Sequence, residues 1–152
     1  ELGDMNQKAS ERAEILSLLW NKLNLIYEEF ARQRGITYTH LYIWNAICRE
    51  AECTQKKICM RTQLPKQTVN TIVRSFEKEG LVRLEPLARD QRIKGIVLTE
   101  AGKAYMETVI DPLIRAEHEA MGALPLEEQK AFIAIMSDYE SRLRAKLLQP
   151  IE

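Results

Sequence analysis

Both ends of the chain carry long amphipathic stripes, which the short segment between them cannot bury. Between Glu11 and Arg34, and again after Pro125, apolar residues recur at three- and four-residue steps, which is typical of long helices with one apolar face. A second copy of the chain would cover both faces in a two-fold homodimer. The alternative is a monomer in which the two ends pack together. The stripes consist of Ile15, Leu19, Leu23, Ile26 and Phe30, and of Phe132, Met136, Tyr139, Leu143 and Leu147.

Length and composition exclude several classes of protein. With 152 residues, of which 45% are hydrophobic and 29% charged, the chain fits one globular domain or two small lobes, and a large multidomain enzyme is excluded. No apolar run approaches the roughly 20 residues that span a bilayer. The N-terminus also lacks the order of a signal peptide, so we expect a cytoplasmic protein with no membrane partner. Residues 1–4 precede Met5 and are expected to be either a cloning remnant or a native extension.

Shorter elements are predicted between the two stripes. Glycines, prolines and threonines in this region stand at positions where helices are expected to begin or end. Two short runs rich in β-branched and leucine residues indicate strands of a hairpin. In chain order we predict a helix over 37–48 capped by Thr37 or Thr39, a helix over 54–61, a turn over 62–64, a helix over 65–79, strands over 81–85 and 94–98 joined by a charged loop over 86–93, and a helix capped by Thr99 that extends to about residue 121.

This order predicts the fold class. It is mainly α: a winged helix-turn-helix with long N- and C-terminal dimerisation helices and one small antiparallel β-hairpin, the wing. We assign residues 5–36 and 105–152 to a dimerisation lobe built from the terminal helices. Residues 37–104 form the winged helix-turn-helix lobe, which we predict to bind DNA for the reasons that follow.

The charge of the chain is balanced overall and uneven along its length. Lysine and arginine number 22, as do aspartate and glutamate. Between Thr54 and Lys103, however, 11 residues are basic and 5 are acidic, so this segment carries a net charge of +6 and the remainder −6. A basic central module is the charge pattern of a nucleic-acid-binding surface. A solvated helix face beside an ordinary charged hairpin would give the same pattern.

The second helix of the helix-turn-helix carries side chains suited to reading DNA. Apolar residues (Ile58, Leu64, Val69, Ile72 and Val73) would hold the two helices together and leave polar groups on the outer face. Glutamine and asparagine pair with adenine, arginine and lysine pair with guanine, and threonine contacts phosphate or a thymine methyl. The candidate DNA-binding residues are Pro65, Lys66, Gln67, Thr68, Asn70, Thr71 and Arg74 on the helix, and Arg89, Asp90, Gln91, Arg92 and Lys94 on the wing.

The wing residues have different expected roles. Arg89 and Arg92 can reach the adjacent minor groove or its phosphates, where the negative potential is concentrated. Asp90 cannot contact DNA favourably because its carboxylate repels phosphate. We therefore expect Asp90 to hold an arginine side chain or to cap the turn.

Three runs in this region resemble the MarR (multiple antibiotic resistance regulator) family: LPKQTVNTIVRSFEKEGLVR over 64–83, RDQR over 89–92 and VLTEAGK over 97–103. The resemblance implies a homodimeric winged-helix regulator, usually a repressor, on a pseudo-palindromic operator. A small ligand or an oxidant would release it from DNA. The resemblance also implies that Lys66, Gln67, Thr68, Asn70, Thr71 and Arg74 read the major groove and Arg92 the minor groove, with Asp90 supporting the wing.

The trigger for release has two candidates. Family members often bind ligands where the dimerisation helices meet the DNA-binding lobe, and six of the ten aromatic residues lie between positions 20 and 44. An aromatic-lined pocket suits a small aromatic effector, although ordinary core and dimer packing explains the same residues. The candidate ligand-binding residues are Trp20, Tyr27, Tyr38, His40, Tyr42 and Trp44.

The second trigger would be oxidation of a cysteine. Cys48, Cys53 and Cys59 are odd in number and closely spaced, so no disulfide framework is expected. Cys53 is the best redox candidate, followed by Cys48, because helix N-terminal amides beside Cys53 would stabilise a thiolate. Cys59 occupies a position where a small buried residue is expected between helices. Burial is the preferred interpretation of all three, because free cysteine is among the most buried residue types.

Other chemistries find no support in the sequence. His40 and His118 are the only histidines, and no cysteine or histidine pair has zinc spacing, so we predict no metal and no cofactor. No nucleophile elbow or phosphate-binding glycine loop is present, so we predict no enzymatic activity. A DNA-binding regulator is the first hypothesis, and a winged-helix protein-interaction module is the alternative.

Overall fold

A computed structural model describes residues 2–148 of the chain, with side chains over 6–148. It divides into two compact units, one ending at Ile110 and the other beginning at Asp111. The order of elements confirms a mainly α winged helix-turn-helix with one antiparallel hairpin. The elements are α1 (Leu2–Gln33), α2 (Tyr38–Arg49), α3 (Gln55–Thr62), α4 (Lys66–Lys78), β1 (Val82–Leu87), β2 (Asp90–Leu98), α5 (Glu100–Gly122) and α6 (Leu126–Leu147). None of these helices is both long and apolar enough to cross a membrane.

Threonine side chains cap three of the helices, and threonine caps were predicted for two of them, α2 and α5. The Oγ1 of Thr37 accepts a hydrogen bond from the amide of His40 at 3.2 Å, and that of Thr54 accepts one from the amide of Lys57 at 3.2 Å. The Oγ1 of Thr99 accepts from the amide of Gly102 at 3.0 Å. Each bond satisfies an amide that has no partner within its own helix, which fixes where that helix begins.

The strands of the wing are longer than predicted, and the predicted loop over 86–93 is wrong. The strands continue to Leu87 and from Asp90, so only Ala88 and Arg89 lie between them. A β-bulge between Pro86 and Leu87 shifts the register from Pro86 opposite Lys94 to Leu87 opposite Asp90. The bulge absorbs the extra residues of β2, so pairing continues past a proline that usually ends a strand.

The second strand of the wing is also tied to the start of α3. Thr54 forms an isolated antiparallel bridge with Gly95, and the amide of Ile96 donates to the carbonyl oxygen of Cys53 at 2.8 Å. Cys53 and Thr54 are both buried. The wing and the helix-turn-helix therefore share a hydrogen-bonded connection in addition to the chain itself.

Aromatic and branched side chains from several elements form the core of the first unit. Trp44 is fully buried, and its ring lies 4.9 Å from that of Phe76 and 5.3 Å from that of Tyr105, measured between centroids. These contacts fix α4 against α2 and the start of α5. The predicted helix-turn-helix core is confirmed: Ile58, Val69, Ile72 and Val73 are buried and Leu64 is half-buried.

The terminal helices keep large apolar side chains exposed. In α6, none of the described residues is buried. The large exposed apolar residues are Ile15, Leu18, Leu19, Trp20, Leu23, Leu25 and Ile26 in α1, and Leu126, Phe132, Ile133, Ile135, Tyr139, Leu143 and Leu147 in α6.

Candidate nucleic-acid interface

Helix α4 has two chemically different faces. One face is buried in the core through Val69, Ile72, Val73 and Phe76. The other face carries the side chains that the sequence assigned to DNA: Lys66, Gln67, Thr71 and Arg74 are exposed, and Thr68 and Asn70 are half-buried. Core packing therefore holds α4 in place while its polar groups face outward.

The start of α4 is open to an external partner. Pro65 stands at the N-cap position and makes no side-chain cap hydrogen bond. The amides of the first helical turn have no acceptor within an α-helix, so they add partial positive charge at this end. Phosphate groups commonly bind at such helix ends.

A tight turn joins α3 to α4. Gln63 takes a left-handed conformation at φ +56°, and its amide donates to the carbonyl oxygen of Cys59 at 2.8 Å. The buried hydroxyl of Thr62 donates to the carbonyl oxygen of Ile58 at 2.7 Å and accepts from the amide of Leu64 at 3.3 Å. These bonds satisfy the turn internally, so it holds the two helices close together.

Two surface concavities lie where α3 meets α4. One, of about 510 Å³, is lined by Gln55, Lys66, Gln67 and Asn70. The other, of about 300 Å³, is lined by Gln55, Lys56, Cys59 and Lys66. Lys66 borders both concavities and Lys56 borders the smaller one, so two positive charges stand where a phosphate backbone could bind. Sequence reasoning missed Gln55 and Lys56, because only folding brings the start of α3 beside the start of α4.

The wing presents an arginine held by an aspartate, as expected. Asp90 accepts from the backbone amide of Arg92 at 3.0 Å, from its Nε at 3.1 Å and from its Nη2 at 3.2 Å. These bonds hold the pKa of the Asp90 carboxyl below its ordinary value. The Arg92 side chain is nevertheless 90% exposed. Arg89, Gln91 and Lys94 are exposed on the same hairpin.

Some basic residues of the central segment are already neutralised. Arg61 pairs with Glu50 at 2.9 Å, Arg83 pairs with Glu85 at 2.5 Å, and Lys103 pairs with Glu100 at 2.8 Å. Within residues 6–148, Lys66, Arg74, Arg89 and Lys94 have no ion pair, so their charges are available to a polyanion. All four belong to the candidate DNA-binding set.

The six candidate ligand-binding residues do not form one cluster. The rings of Tyr27 and Tyr38 lie 6.2 Å apart, and those of Tyr38 and Tyr42 stack at 5.9 Å. Burial raises the pKa of the Tyr38 hydroxyl. Of the other three, His40 and Trp44 both lie beside the ring of Phe76, at centroid distances of 5.9 Å and 4.9 Å. Trp44 is fully buried in the core, and its role in ligand binding stays a prediction. Trp20 is exposed on α1, and the His40 Nδ1 lies 2.7 Å from the Thr37 Oγ1.

The preferred interpretation of Cys53 as a buried residue is confirmed, and its environment disfavours the alternative redox role. Its side chain is only 3% exposed, and burial raises the pKa of its thiol to about 12. Desolvation of the thiolate outweighs any stabilisation by the amides of α3, so Cys53 stays protonated and unreactive near neutral pH. Cys48 and Cys59 are half-buried. The expectation that Cys59 is a small residue buried between helices is therefore met only in part.

Comparison with known proteins gives one family match and several relatives. Residues 34–93 match the model of the MarR family. The chain is 28% identical over 96 residues to YwhA, an uncharacterized HTH-type transcriptional regulator of Bacillus subtilis; the match covers 63% of this chain and 69% of that protein.

Two solved structures share the fold. The S. aureus MepR–DNA complex matches with a TM-score of 0.70 at 20% identity, over 86% of this chain and 95% of that chain. Bordetella bronchiseptica BpsR, described in a study of how 6-hydroxynicotinic acid regulates its DNA binding, matches with a TM-score of 0.63 at 16% identity, over 84% and 91% of the two chains. At these identities, the likeness shows the winged-helix fold alone.

Proposed function

We propose, from the match of residues 34–93 to the MarR-family model, that the chain is a DNA-binding transcription regulator that acts as a homodimer. We further propose that it is a repressor on a pseudo-palindromic operator. The observation that carries the proposal is the polar, partly basic face of α4, which includes the unpaired Lys66 and Arg74 and stands opposite a buried face.

The geometry suggests how each element contacts DNA. The first turns of α4 enter the major groove, where Gln67 and Asn70 face base edges. Lys66 and the open amides at the helix start bind phosphate. The wing follows the backbone to the adjacent minor groove, where Arg92, oriented by Asp90, inserts its guanidinium.

Selection of bound duplexes from a random library tests this proposal. We expect the purified protein at moderate salt to enrich an inverted repeat with half-sites about one helical turn apart. Light scattering is expected to give the mass of a dimer. Failure to enrich any sequence, with or without small aromatic acids, would contradict the proposal and favour a protein-interaction module.

Salt dependence separates the two functions further. Binding through several phosphate contacts releases counterions, so affinity falls steeply as salt rises. Binding of a protein partner through apolar surface has no such dependence. An affinity that does not change with salt would favour the protein-interaction module.

Arg92→Ala is expected to weaken binding to all duplexes to a similar extent. Loss of one groove or phosphate contact also lowers the slope of log K against log salt by about 1. Arg142→Ala in α6 is the matched control, because Arg142 is likewise exposed and paired with a carboxylate, that of Asp138 at 2.7 Å. Fluorescence anisotropy on selected and random duplexes measures both effects. If Arg92→Ala leaves the slope of log K against log salt unchanged, Arg92 does not contact DNA.

Gln67→Ala is expected to cost about 1–3 kcal/mol on the selected sequence and little on random DNA, because a base contact distinguishes sequences. The same anisotropy titrations give the ratio of the two affinities. Equal losses on both duplexes would contradict a base-reading role for Gln67.

A small aromatic effector is the proposed signal for release. The stacked rings of Tyr38 and Tyr42, with Tyr27 beside them, offer a surface for an aromatic molecule. The regulation described for BpsR involves a hydroxylated aromatic acid. Titration of such acids against the protein–DNA complex tests the proposal, with Tyr38→Ala as the variant expected to resist release.

A further inference from the structure

We infer that Gln55 is a positioning residue for the DNA-reading helix, tying the first turn of α4 to the start of α3. The inference rests on the proposed function and names a residue outside the candidate set. Its basis is one hydrogen bond across the helix-turn-helix: the Nε2 of Gln55 donates to the carbonyl oxygen of Lys66 at 3.1 Å.

The orientation of this amide is fixed by chemistry. A carbonyl oxygen can only accept, so the nitrogen of the Gln55 amide must face Lys66. The Lys66 carbonyl has two lone pairs, and the helix pattern uses one of them for the amide of Asn70. The Gln55 amide donates to the other lone pair, so this hydrogen bond, which we call the tether, leaves the hydrogen bonds within α4 intact.

The first turn of α4 is the part of that helix with the least support. The buried residues of α4 begin at Val69, and Pro65 at the N-cap makes no side-chain hydrogen bond. Lys66 and Gln67 lie in this turn and are exposed. Base reading requires side chains to be held within about 0.5 Å of their productive positions. The bond from Gln55 supplies that support where core packing does not.

The other end of the tether is firmly anchored. Gln55 directly follows Cys53 and Thr54, which are buried and hydrogen-bonded to β2 through Ile96 and Gly95. Thr54 also caps α3. Gln55 therefore connects the start of the reading helix to the same backbone that carries the wing. Both proposed DNA-contacting elements share this anchor, which sets their relative position.

The tether is tested with two variants and a matched control. Gln55→Ala removes the side chain, and Gln55→Glu keeps its shape but replaces the donor with a carboxylate. Gln129→Ala is the control: Gln129 is also half-buried, and its Nε2 donates to the carbonyl oxygen of Leu124 at 2.8 Å near the start of α6. Affinities are measured on the selected operator and on random duplex, and amide hydrogen exchange is measured on the free proteins.

Both Gln55 variants are expected to lower the ratio of operator affinity to random-duplex affinity by about five- to tenfold. Random-duplex affinity is expected to stay unchanged within about twofold for Gln55→Ala, and to fall for Gln55→Glu because its carboxylate repels phosphate. Exchange at the amides of Val69 and Asn70 is expected to rise by a similar factor. Gln129→Ala should change neither quantity. A merely stabilising role for Gln55 would lower the melting temperature and leave the affinity ratio intact.

Three results would overturn the inference. Unchanged exchange at Val69 and Asn70 in Gln55→Ala would show that the bond does not hold the turn, whatever the DNA results. Equal losses on operator and random duplex would make Gln55 a phosphate contact. A wild-type protein with no preference for any duplex would overturn the proposed function itself, and the positioning role would fall with it even if exchange rose.

Discussion

Gly102→Ala is expected to lower the free energy of unfolding by about 3 kcal/mol or more. A Cβ at this position would overlap the carbonyl oxygen of Leu81 and would lie 3.0 Å from its carbonyl carbon. Both are backbone atoms, so no side-chain rotation can make room. The start of α5 would have to move away from the segment that leads into the wing.

That movement would break the bonds that join the two segments. Thr99 donates from its hydroxyl to the carbonyl oxygen of Gly80 at 2.5 Å and from its amide to that of Leu81 at 3.1 Å. The same hydroxyl caps α5. Each lost bond would leave polar groups without partners, which adds to the steric cost.

Urea denaturation at fixed protein concentration measures the effect. Gly122→Ala is the matched control in the same helix, because nothing lies within 4 Å of the Cβ that it adds. This control is expected to leave stability unchanged or to raise it by up to about 1 kcal/mol, since alanine favours helix over glycine. A Gly102→Ala midpoint equal to that of the wild type would contradict the close approach of α5 to Leu81.

Ile26→Glu is expected to convert the proposed dimer to monomers and to weaken operator binding by about a hundredfold or more. Ile26 is 63% exposed on α1, and Leu19 and Leu23 are exposed beside it. If this face packs against a second copy, a carboxylate there would be desolvated without a partner. Each monomer could then bind only one half-site and would lose the high effective concentration that the second half-site provides.

Light scattering and operator titration measure the two effects together. Ser10→Glu is the control, because Ser10 is exposed on the same helix, lies about 160° around its axis from Ile26 and has no large apolar residue three or four positions away. It should leave mass and affinity unchanged. A dimer mass for Ile26→Glu would exclude this face from the interface, and a monomeric wild type would contradict the dimerisation lobe proposed for residues 5–36 and 105–152.

Local sequence patterns were enough to locate the helix-turn-helix. Thr37 was one of two candidate caps of α2 and Thr99 was identified as the cap of α5, because a capping bond joins residues only three apart. The buried and exposed faces of α4 followed from the 3.6-residue period, which depends on neighbouring residues alone. The Asp90–Arg92 pair was equally local. The net positive charge of the central segment also needed only the sequence, because it is a count of residues, whereas the ion pairs among them depend on the fold.

Contacts between distant segments were needed for the rest. The wing strands extend to Leu87 and Asp90 because a bulge restores pairing past Pro86, and pairing depends on a partner strand. Trp44 and Cys53 carry side chains that suit a pocket or a reactive thiol, yet packing buries both. Burial reverses the expected pKa shift of Cys53.

The tether between Gln55 and Lys66 belongs to the same class, because it joins residues 11 apart that meet only after α3 and α4 fold together. Periodicity and capping depend on spacing along the chain, so they could be read from the residues in order. Desolvation, strand register and the hydrogen bonds of the α3–α4 concavities depend on neighbours in space, and those were established only when the chain was folded.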